Sequence, residues 1–155
     1  MYQVLLFTHS LFRWLVLLAL IHAIIRALSG WRSGRPFGLV DNTTRHVTAT
    51  IAHIQLLLGL ALYFISPIVR NFLDNFSTAV HMREMRFFGM EHSLMMTVGI
   101  IVLTIGSMKA KRAGEDQQKF KIMLIWFSVA LVIILTSIPW SFSPLTSRPL
   151  FRGIS

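Results

Sequence analysis

The sequence predicts an all-α membrane protein, a bundle of four transmembrane helices running up-down-up-down. Three observations predict it. Apolar residues make up 54% of the chain and charged residues 14%, whereas soluble domains carry roughly 25% charged residues. Mean hydropathy is +0.64. The apolar residues are gathered into four runs near the length a helix needs to cross a bilayer, about 20 residues for a core of about 30 Å. Backbone groups in lipid must bond within their own segment, so helices are the expected element. The 155 residues form one integral membrane domain.

The first run covers about residues 4–28. It reads as a span and not as a cleaved leader, because it has no basic start, carries Arg13 inside and precedes no small-residue cleavage site. The second covers about 47–68, the third about 87–108 and the fourth about 120–142. Pro67 and Pro139 stand where the second and fourth helices should stop. Between the second and third runs, "NFLDNFSTAVHMREM" has room for a short interfacial helix.

Net charge is +9. The basic residues mostly fall between apolar runs, so anionic lipid and topology explain them and nucleic acid does not. Arg26, Arg32, Arg35 and Arg45 lie in the first connection, and Lys109, Lys111, Arg112, Lys119 and Lys121 around the third. The opposite side has Arg70, Arg83, Arg86, Arg148 and Arg152. The positive-inside bias therefore puts the first and third connections in the cytoplasm and both termini outside.

Polar residues inside the spans carry the functional signal, since ionisable groups in a membrane are usually functional. "THSLFRW" opens the first run and "EHSLMM" the third. His9 and His92 then lie one to two turns in from the outer side at a common height. His22 and His53 form a second level nearer the cytoplasm. Two imidazoles on facing helices suit axial ligation of heme iron, and histidines that glue helices by hydrogen bonds are the plainer alternative. Arg13, one turn below His9 on the same face, needs an anion: a heme propionate, a quinone headgroup or Glu91. His92, Gly99 and Gly106 are seven apart and form one stripe, either a flat wall for a macrocycle or a seam for close helix packing.

On "THSLFRW", "AHIQLLLG" and "MEHSLMM" the chain resembles small bacterial four-helix membrane cytochromes b. The resemblance implies b-type heme held by His9 and His92, and less directly by His22 and His53. It also implies electron exchange with quinone or a periplasmic partner and a place in the bacterial inner membrane. The small size favours association with other membrane subunits or further copies. His9 and His22 are thirteen apart, which leaves them about 140° apart around one helix. One heme is the economical count, and two would need a kinked first helix. Without cysteine, covalent c-type heme and thiolate metal sites are excluded.

Two competing functions remain. Met82, Met85, Met90, Met95 and Met96 with His81 and His92 offer thioether and imidazole ligands to Cu(I) on the outer side. A non-redox structural subunit would use the same methionines as adaptable packing. No P-loop, dinucleotide fingerprint, nucleophile elbow or H-E-x-x-H is present, so electron transfer is the most that an enzymatic reading supports.

Overall fold

A computed structural model describes residues 1–140 and is helical throughout its long elements. The elements are α1 (Tyr2–Ser33), α2 (Leu39–Ile65), α3 (Pro67–Asp74), α4 (Phe76–Ala79), α5 (Arg83–Arg86), a π-helical turn (Phe87–Glu91), α6 (His92–Arg112) and α7 (Asp116–Ser137). Four of these stretches are long and apolar enough to cross a membrane: α1, α2, α5 through α6, and α7. Four helices of spanning length and hydropathy are present, as predicted. α1, α2 and the α5–α6 stretch are longer than their apolar runs, whereas α7 starts four residues earlier than its run and already stops at Ser137. The fourth helix does not run on to the expected residue 142, because its backbone turns extended at Ile138 ahead of Pro139. Arg148 and Arg152 of the charge count lie outside the described residues.

Helix ends follow local chemistry. α1 stops at Gly34, whose φ of 67° is left-handed and suits a residue without Cβ. α2 starts eight residues before its apolar run, because Asp41 accepts from the Gly38 backbone N–H at 3.1 Å and satisfies the first turn. α2 ends as Ser66 turns extended ahead of Pro67, and the Ser66 hydroxyl receives the Val69 N–H at the start of α3. α7 ends the same way, with Ile138 extended before Pro139. The connection expected to hold one short helix holds two, α3 and α4, ahead of the stretch that begins with α5.

α1 packs against α2 and α7, and α6 packs against α7 and α2, so α1 and α6 occupy opposite corners. The core runs down the centre through Leu20, Ala23, Ala27, Leu103, Phe120, Met123 and Phe127. Small residues let backbones approach: Gly30 leaves room for the Phe120 ring, and Gly106 for Trp126. Gly99 likewise meets Ile133 and Ile134. The His92–Gly99–Gly106 stripe is therefore the α6–α7 seam, and its glycines are filled by α7 side chains, which leaves no bare wall for a macrocycle.

The end of the bundle away from His9 and His92 is locked by charge. Asp41 is 2% exposed and receives Arg26 at 2.8 Å and Arg35 at 2.6 Å. That hydrogen bond holds the Arg35 guanidinium above its ordinary pKa. The Arg35 plane lies 4.7 Å from the Phe120 ring, and its carbonyl accepts from Gln117 at 3.1 Å. Arg45, also buried, donates to the Ser107 hydroxyl of α6 at 2.6 Å and to Asn42 at 2.8 Å.

Candidate functional site

The site is a partly open cavity of about 200 Å³ at the end of the bundle where α1 begins. His9, Arg13, Gln55, Gly59, His92 and Met96 line it among mainly aliphatic side chains, and no Asp or Glu is among the lining residues. His9 and Arg13 come from α1, Gln55 and Gly59 from α2, and His92 and Met96 from α6. The two imidazoles reach across the core from opposite corners. Their ring centres are 6.5 Å apart and their planes cross at 77°.

His92 is held by a chain of causes that starts at Pro139. The proline forces Ile138 out of the helix, so the last carbonyls of α7 have no helical partner. Trp140 Nε1 donates to one of them, Leu135, at 2.9 Å. His92 Nδ1 meets another, Ser137, at 2.8 Å. A carbonyl only accepts, so Nδ1 carries the hydrogen and Nε2 keeps its lone pair. The π-helical turn directly before His92 supplies Phe87 and Phe88, whose rings lie 5.6 and 6.3 Å from the imidazole. The Gly89 carbonyl of that turn accepts from Tyr63 of α2 at 2.9 Å. Single π-helical turns inside helices are rare and frequent at functional sites.

His9 is held more loosely. Gln55 Nε2 donates to the His9 carbonyl at 3.0 Å, which sets the amide's orientation. The same nitrogen is 3.5 Å from His9 Nε2, a long and weak contact. His9 Nδ1 and Gln55 Oε1 are buried without a hydrogen-bond partner. The imidazole rests on Gly59, where an added Cβ would stand 3.2 Å from His9 Cε1. Two orphaned polar atoms in one cavity call for an occupant, since each costs about 1–3 kcal/mol when left unsatisfied.

Arg13 shares the His9 face as its spacing predicts, and its guanidinium lies 5.4 Å from the Trp14 ring. Trp14 in turn meets Trp140 edge to face at 6.1 Å. Glu91, one of the anions considered for Arg13, is bonded to Arg86 at 2.6 Å.

His22 and His53 are not brought to this cavity. His22 is exposed on the outside of α1. His53 is exposed too, and its Nε2 is 2.9 Å from Thr104 Oγ1. The Thr104 hydroxyl already donates to the Ile100 carbonyl at 2.7 Å. His53 Nε2 must therefore carry the hydrogen and donate, which ties α2 to α6. The pair forms no second level inside the bundle.

The methionines disperse as well. Met82, Met90 and Met95 are exposed, as is His81. Met85 Sδ accepts from Asn71 at 3.5 Å. Of that group, Met96 and His92 are the members that line the cavity. Gln55 and Gly59 are the site residues that sequence reasoning missed. The available signal was a lone amide and a glycine four apart within "HIQLLLG".

Fold and site together define a multi-pass helical membrane protein with an internal cavity lined by two imidazoles and a guanidinium. No family model, no curated protein and no solved structure matches the chain.

Proposed function

We propose that this chain is a b-type heme protein that passes single electrons within a membrane, with His9 and His92 as axial ligands. The observation that carries the reading is the spacing of the two rings. A ring nitrogen sits about 2 Å from its metal, so two imidazoles on opposite sides of one ion have centres roughly 6 Å apart. Here they are 6.5 Å apart. No three His, Cys, Asp or Glu side chains among the described residues are grouped to hold a bare ion. A porphyrin brings four nitrogens of its own and leaves two axial positions that side chains can fill.

Bound there, heme supplies a one-electron couple. The chain supplies the rest. Ser137 fixes the His92 tautomer that leaves Nε2 as the ligand atom. Arg13 offers a positive charge to an acidic group such as a propionate, and it favours the reduced iron. The mainly aliphatic lining lowers the polarity around the group, which favours the state of lower net charge. One heme fits this reading, because His22 and His53 are off the cavity. By the positive-inside bias the cavity end faces outward, both termini lie outside, and the helices run up-down-up-down in a bacterial inner membrane. Quinone or an outer-side protein is then the electron partner.

Cu(I) handling is the second reading. Met96 lies in the same cavity one turn from His92, and thioether with two imidazoles suits that soft ion. An absorption spectrum of the detergent-purified protein separates the two. A reduced-minus-oxidised band of heme b that disappears in folded His92→Ala supports the heme reading. A His92→Ala protein with full heme content sinks the ligand assignment. Copper without a Soret band transfers the site to the second reading, and a colourless, metal-free protein leaves a structural subunit.

A further inference from the structure

The two imidazoles are held unequally. A metal-bound histidine almost always gives its second ring N–H to an acceptor, which fixes the ring and strengthens the bond. His92 has that support in Ser137 at 2.8 Å and is packed by two phenylalanine rings. His9 Nδ1 has no acceptor, and its other nitrogen has only the 3.5 Å contact with Gln55. Behind the His9 ring stands Gly59, with no side chain to pin it. Gly59 and His9 both line the cavity.

From this asymmetry we infer that His92 is the permanent ligand and that the His9 side is an exchangeable position, where a small uncharged molecule takes the place of the imidazole. The inference rests on the heme reading above. When His9 turns away, one imidazole–iron bond breaks and one bond to the incoming molecule forms. No electron or proton changes hands. Gln55 lines the same space, and its amide N–H can donate to the outer atom of a diatomic ligand. The aliphatic lining suits a neutral molecule, since bringing in an ion costs desolvation.

Carbon monoxide is the probe. Reduced, heme-loaded wild type is titrated with it beside His9→Ala and His92→Ala, each checked for folding by gel filtration. The wild type should bind it, with a shift of the Soret band. His9→Ala should keep its heme and bind carbon monoxide at least about tenfold more tightly, because no internal imidazole competes for the position. Added imidazole should restore the wild-type spectrum of His9→Ala and weaken the binding. His92→Ala should lose heme. Saturating carbon monoxide that leaves the wild-type spectrum unchanged overturns the inference. So does a folded His9→Ala that has lost its heme. Should His9→Ala not fold, the wild-type titration decides alone. Heme absent from the wild type overturns the heme reading and this inference together, whereas heme held firmly on both sides overturns only the inference.

Discussion

At the scale of residues, the site depends on which atoms are left without partners. Pro139 ends α7, a carbonyl left free there takes the His92 N–H, and the opposite nitrogen keeps its lone pair. Arg13 acts by charge. Its replacement in Arg13→Gln removes a positive charge from beside the cavity and leaves the helix intact. The reduced state then loses support, so the midpoint potential should fall by about 60 mV, a tenfold change in a one-electron equilibrium. A potentiometric titration of the purified protein measures it. A potential that stays put would place Arg13 outside the electrostatic reach of the redox centre. The heights of His9 and His92 were legible from the sequence, because a helix rises 1.5 Å per residue and both follow the start of an apolar run. That His22 and His53 stand away from the cavity was not legible. Their heights match, but height says nothing of the direction in which a side chain points.

Elements carry the next level of control. The π-helical turn Phe87–Glu91 inserts an extra residue ahead of α6. Deleting Met90, an exposed member of the turn, should convert it to an ordinary helical turn and rotate the preceding segment by about 100° relative to α6. Phe87, Phe88 and the Tyr63–Gly89 bond would then leave their places around His92. Heme affinity should drop about 10- to 100-fold, the usual cost of losing a ligand's supporting contacts. The heme-to-protein ratio reads this out while far-UV circular dichroism stays the same. At the other end, Asp41 binds α1, the first connection and α2 together. Asp41→Asn removes the carboxylate charge between two guanidiniums that are about one-third exposed. The loss should be about 2 kcal/mol, seen as a fall of about 4–8 °C in the melting temperature in detergent. An unchanged melting point would mean that the arginines are satisfied by water. Neither element is visible as a motif: the π-helical turn has no sequence signature, and Asp41 is an acidic residue just ahead of an apolar run.

For the whole molecule, orientation in the membrane is the open consequence of the charge count. The chain has no cysteine, so a single introduced thiol is a clean reporter. Asp74 and Lys111 are both exposed and lie toward opposite ends of the bundle. In intact cells an impermeant maleimide should label Asp74→Cys and spare Lys111→Cys, with both labelled after lysis. The reverse pattern would invert the topology and put the cavity end in the cytoplasm.

Length and hydropathy alone determined the number of spanning helices and the levels at which polar side chains enter them. The bilayer's thickness imposes those quantities on any spanning segment. Only the tertiary structure decided how each helix is turned about its axis. Lipid and protein core are equally apolar, so a spanning helix is hydrophobic on every side and its sequence does not mark an inner face. Packing chose that face. It turned His9 and His92 toward each other, placed Gln55 and Gly59 beside them, sent His53 to Thr104, and gave the glycines of α6 to α7.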